Sequence, residues 1–282
     1  MTFLPAPLRL SKDVLFPVIL ICILLLAQAC QKNQNVSSGS NDDDVAPPAD
    51  ALFRKVASSE SNLHFKTQFQ EDFFNNIVRN PNFYNGGGVG IIDINKDQLQ
   101  DLFFSSTTGE CKLFLNEGNL KFRDITATAG VAAPQGFKTG VTVADVNGDE
   151  WPDIYVCRAG LQEGDQRRNL LFINNKDNTF TESARAYGVD DPSPSNHANF
   201  LDYDLDGDLD LYVINFPTDF ALAHRMDLEQ LPDGRIVRNM KPHTDFDSDR
   251  FYRNNGNGTF TEISKQAGIY NRAFGLSSIV QD

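Results

Sequence analysis

The stretch Asp202-Tyr203-Asp204-Leu205-Asp206-Gly207-Asp208-Leu209-Asp210 decides how this chain is read. It sets carboxylates at positions 1, 3, 5 and 9 of a nine-residue loop. The same register occurs twice upstream, as Asp93, Asn95, Asp97 and Asp101, and as Asp145, Asn147, Asp149 and Asp153. Alternate residues of a tight turn can aim their oxygens at one centre. Ca2+ is a hard cation that takes six to eight oxygen ligands at about 2.3–2.6 Å. The spacing therefore predicts three calcium sites built from these twelve residues, with the backbone carbonyl of position 7 as a further ligand. The same residue types also make Asx-turns without any metal, and spacing alone leaves that alternative open.

What flanks the loops sets the fold class. An EF-hand closes with a bidentate Glu at position 12 and runs on into a helix. Here position 12 is Phe104, Val156 and Val213. Leu102-Phe103-Phe104, Ile154-Tyr155-Val156 and Leu211-Tyr212-Val213 follow the loops, and Val89-Gly90-Ile91-Ile92, Val141-Thr142-Val143-Ala144 and Asn199-Phe200-Leu201 precede them. These β-branched, aromatic and apolar runs read as strands. The unit is strand, loop, strand. Position 6 asks for a left-handed backbone, which suits Gly. The third loop has Gly207, whereas the others carry Gln98 and Glu150. With four carboxylates against three, the third loop is expected to bind most tightly.

A second element repeats in step with the loops. Leu113-Phe114-Leu115-Asn116, Leu171-Phe172-Ile173-Asn174 and Phe251-Tyr252-Arg253-Asn254 each lead through Asn, Gly or Asp residues into Phe122, Phe180 and Phe260. A strand, a turn and a strand make a hairpin. Each period thus holds about four strands and recurs after 52 and then 57 residues. Counting on from Phe260 places Asp282 where a fourth loop would begin, so an array interrupted at about three and a half units is expected. Length varies between the loop and the next hairpin, which puts insertions on one face. The longest runs from Phe216 to Arg250 and contains His224, His243, Asp245, Asp247 and Asp249. It is expected to hold a short helix from Phe220 to Gln230 and a turn at Asp233-Gly234. A solvated loop or a ligand-binding rim would both suit it.

Loop and hairpin together resemble the FG-GAP/VCBS repeat family, in the branch related to cartilage acidic protein and the ASPIC/UnbV proteins. Asn85-Gly86-Gly87-Gly88-Val89-Gly90-Ile91-Ile92-Asp93 looks like the start of that family's first repeat. The resemblance spans residue 60 to the end. It implies an all-β fold, an incomplete β-propeller of four-stranded blades with calcium loops. A propeller needs about four to eight blades to close.

The N-terminus suggests export. Val14 to Leu26 is an apolar run broken only by Pro17, followed by Ala27-Gln28-Ala29-Cys30. It is short for a membrane span of about 20 residues and fits a secretory signal. Cys30 resembles the lipidated cysteine of bacterial lipoproteins, although Ala27 stands where leucine is usual. A signal peptide at 1–29, a flexible tether at 30–58 and a repeat domain at 59–282 are therefore expected, with the tether polar and Pro-containing. Such a protein would be lipid-anchored in the cell envelope, at the outer membrane or cell surface of a Gram-negative cell.

The net charge of −13 disfavours nucleic acid, which needs a basic footprint. In the body only Cys111 and Cys157 remain, and their pairing is left open. No Gly-x-Ser-x-Gly, His-Glu-x-x-His or phosphate loop occurs, and the four histidines lack zinc spacing. The expected role is a non-enzymatic, extracytoplasmic binding or adhesion module for a protein or glycan. The alternative is a non-catalytic part of a larger envelope enzyme, such as a polysaccharide-processing one.

Overall fold

The computed structural model describes residues 51–67, 69, 71–73, 76–78, 83–160, 164–217, 228–238, 248–269, 271 and 275–280. The expected signal peptide, Cys30, most of the tether, His224, His243, Asp245, Asp247 and Asp282 lie outside them. The chain divides into Met1–Lys55 and Val56–Asp282, and the second unit holds the architecture described below. Among the described residues no helix is long and apolar enough to cross a membrane.

After a helical turn α1 (Ser58–Ser61), three four-stranded antiparallel sheets succeed one another. Sheet one joins β1 (Val89–Ile92), β2 (Asp101–Phe104), β3 (Lys112–Asn116) and β4 (Phe122–Asp124), and α2 (Thr126–Ala129) follows it. Sheet two joins β5 (Phe137–Ala144), β6 (Asp153–Ala159), β7 (Leu170–Asn174) and β8 (Phe180–Glu182), with α3 (Ala184–Tyr187) after it. Sheet three begins with β9 (Ser195–Leu201) and β10 (Asp210–Asn215). After an inserted hairpin of β11 (Leu228–Gln230) and β12 (Ile236–Arg238), it ends with β13 (Arg250–Asn254) and β14 (Phe260–Glu262). Strand order follows chain order because every link between neighbours is a hairpin or a loop, which antiparallel pairing permits. The all-β, repeated reading of the sequence holds.

The expected helix from Phe220 to Gln230 is corrected at its end. Leu228–Gln230 is a strand, in register with Ile236–Arg238. Leu231-Pro232-Asp233-Gly234 accounts for this: the Leu231 N–H donates to the Arg235 carbonyl at 2.8 Å, and the turn reverses the chain into β12.

Successive sheets pack face to face. One core joins Ile92, Phe103, Leu113 and Ile125 of sheet one and its flank to Ile154, Val156 and Phe172 of sheet two. A second joins Tyr155, Cys157 and Leu171 of sheet two to Ala198, Leu211, Val213 and Tyr252 of sheet three. Because β6 alternates its side chains between two neighbours, every residue of it is buried. The apolar run 154–157 within it follows from that double burial. Cys111 and Cys157 sit in these two separate cores and are free thiols.

The first strands approach one another through small side chains. A Cβ on Gly140 would stand 2.5 Å from the Asn196 carbonyl oxygen, and one on Gly88 would stand 2.7 Å from the Val141 nitrogen. Side-chain donors then reach across. Thr139 and Thr142 hydroxyls donate to the Ser195 and Ala198 carbonyls at 2.7 and 2.6 Å. Asn196 and Asn199 amides donate to the Gly275 and Ser278 carbonyls at 2.6 and 3.0 Å, so segment 275–280 lies beside β9 as β9 lies beside β5.

Candidate metal centre

Each Asp-rich loop joins the first strand of a sheet to its second, at one end of that sheet. The position 1 carboxylate organises the turn. Asp93, Asp145 and Asp202 accept the position 5 N–H on Oδ1 at 3.0–3.1 Å. On Oδ2 they accept the position 6 N–H at 2.7–3.1 Å. Asp97, Asp149 and Asp206 each accept the position 7 N–H. These bonds curl the backbone so that positions 4 and 6 take positive φ in every loop: Lys96 and Gln98, Gly148 and Glu150, Leu205 and Gly207. The left-handed geometry expected at position 6 is present, and Gln98 (+69°) and Glu150 (+67°) adopt it at a cost that Gly207 avoids.

Asp101, Asp153 and Asp210 at position 9 are buried and hold both ends of the motif. One oxygen accepts the position 2 N–H of its own loop, at 3.0 Å in all three. The other accepts the backbone N–H of Asn116, Asn174 or Asn254, the last residue of each sheet's third strand, at 2.7–2.9 Å. Burial raises all three carboxyls above the ordinary range, and Asp153 reaches about 6, with neighbouring Asp149 and Asp145 adding to the rise against two N–H hydrogen bonds.

Those asparagines extend the motif to the next sheet. The Asn174 amide donates to the Pro152 carbonyl at 3.3 Å and to the Ile94 carbonyl of the preceding loop at 3.0 Å. Asn254 repeats this, donating to Leu209 at 3.1 Å and to Val146 of the preceding loop at 3.4 Å. Sequence reasoning saw these residues only as hairpin turns. Their recurrence as the last strand residue before each turn was the available signal.

Position 3 separates the loops. In the first two, the Asn95 and Asn147 amides donate to Asp97 and Asp149 Oδ2 at 3.0 and 3.1 Å. A carboxylate cannot donate, so Asp204 makes no such bond with Asp206. Asp202, Asp204 and Asp210 bring one carboxylate oxygen each within 4.8 Å of one another. Among the described residues, Asp206 does not join that group, and neither acidic trio of the first two loops reaches that distance. Lys176 also enters the second site, its Nζ lying 3.3 Å from Asp149 Oδ2. Despite a rise from burial, hydrogen bonds from the Trp151 N–H and Asn147 and the charge of Lys176 hold Asp149 below the usual carboxylate range. Lys96 links two loops, 3.6 Å from Glu150 and over the Trp151 ring.

The other singled-out groups serve the scaffold. Asp249 is buried at the base of the long insertion and accepts from Tyr212, the Asn215 N–H and Asn271 at 2.7–2.9 Å. His197 lies in β9, where burial lowers its pKa.

Four-stranded antiparallel sheets, each with an Asp-rich loop between its first two strands, define a repeat class, and residues 93–156 match the FG-GAP-like repeat family. Among known proteins the chain is similar to cartilage acidic protein 1. It is 32% identical to the Homo sapiens protein over 123 residues, covering 43% of this chain and 17% of that one. Against the Mus musculus protein it is 30% identical over 141 residues, 50% of this chain and 21% of that one. The chain thus spans about a fifth of the length of the curated relatives it matches.

Proposed function

We propose that this chain is a calcium-stabilised binding module of the β-propeller class, without enzymatic activity, tethered outside the cytoplasm and directed at a protein or glycan. One observation carries the metal: a loop of the same oxygen register recurs at the same place in three sheets, and in the third three of its carboxylates converge. The donor set fits Ca2+, being all oxygen and rich in carboxylate. Asp202, Asp204 and Asp210 would hold the ion in loop three, with Asp206 drawn in. Asp93, Asn95, Asp97 and Asp101, and Asp145, Asn147, Asp149 and Asp153, would hold weaker ones. A bound cation supplies positive charge to buried carboxyls that are otherwise raised by burial and like-charged neighbours. Position 1 curls the loop, and position 9 ties it to the hairpin.

The connections of varying length leave the sheets at the end away from the loops. That face, which carries the long insertion, is the proposed partner surface. Lipidation of Cys30 would supply the anchor and place the module in the cell envelope, at the outer membrane or cell surface of a Gram-negative cell. Calorimetry with calcium and with EDTA tests the metal: a melting temperature that does not move removes it. Cys30→Ala should release the protein from the membrane fraction. Retention there removes the anchor.

A further inference from the structure

The asparagine that ends the third strand of sheets two and three stands between two Asp-rich loops. Asn254 donates its backbone N–H to Asp210 at 2.8 Å and its side-chain amide to the Val146 carbonyl at 3.4 Å. Val146 donates its N–H to Asp153 at 3.0 Å, and Asp153 accepts the Asn174 N–H at 2.9 Å. The Asn174 amide donates to the Ile94 carbonyl at 3.0 Å, and the Ile94 N–H donates to Asp101 at 3.0 Å. These bonds, all buried, run without a break from the position 9 carboxylate of loop three to that of loop one. Val146 and Ile94 hold position 2, between Asp145 and Asn147 and between Asp93 and Asn95. The Val146 carbonyl belongs to the peptide that leads into Asn147. Holding it therefore fixes the backbone from which that position 3 oxygen projects.

We propose that Asn254 and Asn174 are positioning residues for the cation site of the preceding loop, and that they make cation binding cooperative in the order three, two, one. This rests on the metal reading given above. Loop three leads because three of its carboxylates already converge. An ion there restrains Asp210, and with it the Asn254 N–H that Asp210 accepts. The amide of the same asparagine then holds Val146. Part of the ordering that loop two needs is complete before its own ion arrives. A first ligand that orders what a second must order gives positive coupling without any change of fold. Burial favours such a chain, since hydrogen bonds at low dielectric polarise one another. The coupling is bounded by the net worth of the one bond that crosses between loops, a factor of about 2–12 in affinity. Linkage makes it reciprocal.

Trp151, the one tryptophan of the chain, is position 7 of loop two and gives that loop its own signal. Terbium titration of the full chain, in mild detergent and excited where only Trp absorbs, therefore reads loop two. Salt of about 0.15 M screens charge effects beyond about 8 Å. Asp204→Ala disables loop three, and the residue is exposed, so the fold is spared. In the wild-type background it should raise the half-saturating terbium concentration of loop two by about 2–12-fold. In an Asn254→Ala background it should change nothing further. If Asn254 served the scaffold alone, Asp204→Ala would act equally in both backgrounds. That result, or no effect of Asp204→Ala on the wild type, overturns the proposal. Should Asn254→Ala prove unfolded by circular dichroism, Asp204→Ala in the wild type still decides, because an unmoved loop two refutes the coupling. No Trp-sensitised luminescence at all would remove the metal from loop two and the proposal with it. Luminescence without coupling removes the proposal alone, so the two failures are told apart.

Discussion

Replacing Asn174 with alanine measures what joins one loop to the next. The side chain is 2% exposed and makes three hydrogen bonds: to the Ile94 carbonyl at 3.0 Å, to the Pro152 carbonyl at 3.3 Å, and from the Lys176 N–H at 2.8 Å. Its backbone bond to Asp153 survives the substitution. Each bond contributes about 0.5–1.5 kcal/mol net, and stranded buried partners push the sum toward the upper end. The expected loss is about 2–4 kcal/mol. For a domain of this size that is a fall in melting temperature of roughly 4–16 °C. Asn116 supplies the internal control. It holds the same place in sheet one, is half-buried, and makes two such bonds, to Gln100 and from Gly118, with none to a preceding loop. Asn116→Ala should cost about 1–2 kcal/mol. Urea melts of both variants in EDTA give the comparison without metal. Equal losses would refute the claim that the Asn174–Ile94 bond couples the sheets.

Three further outcomes are expected. Asp204→Asn should let the third loop close on itself as Asn95 and Asn147 do, weakening cation binding there, which terbium luminescence would read as a lower-affinity phase. Lys176→Met removes an exposed ammonium from beside Asp149 and should tighten the second site by about 2–5-fold, the worth of a pair of that kind, in calcium titration calorimetry. Lys138 is buried, donates to the Gly109, Ala133 and Gln135 carbonyls, and is lowered by burial to about 8. Between pH 8 and the unfolded value near 10.4 the folded state then binds fewer protons than the unfolded one, so this group's contribution to stability rises with pH. Because Cys111 and Cys157 are pushed up and work in the opposite sense, the readout is the difference between wild type and Lys138→Met in urea melts at pH 7.5 and 9.5. A wild type that does not gain relative to the variant across that interval would contradict the assignment.

Strands, loops and hairpins were legible because their signals are local. Two-residue alternation, Asp at fixed offsets and Asn-Gly turns each act within a few residues, and the structure puts β1, β2 and their counterparts on either side of the expected loops. Contacts across the repeat were not legible. Asn174 meets Ile94 across 80 residues and Asn254 meets Val146 across 108, distances over which composition carries no register. The packing reason for the glycines in Gly86-Gly87-Gly88 was not legible either. Gly87 and Gly88 are small because a neighbouring strand and Ser105 leave no room for a Cβ. Around 228–230 a helix was expected from Asp219 as its cap, but the Pro-Asp-Gly turn beyond it dictated a strand.

The position 9 aspartate explains why three loops of unequal quality can support one architecture. Each of its oxygens already accepts a backbone N–H, one from its own loop and one from the third strand. A carboxylate oxygen has two acceptor sites, so such a bond still leaves room for a cation. The join between loop and hairpin therefore does not wait for metal. Gln98 and Glu150 bear left-handed strain, and Lys176 stands beside Asp149, yet the first two loops keep the hydrogen bonds of the third. Metal should then tune stability loop by loop rather than decide whether the sheets form. On that logic EDTA lowers the melting temperature without removing β-structure at 25 °C. Complete unfolding in EDTA would mean that the N–H bonds to Asp101, Asp153 and Asp210 cannot hold the joints alone.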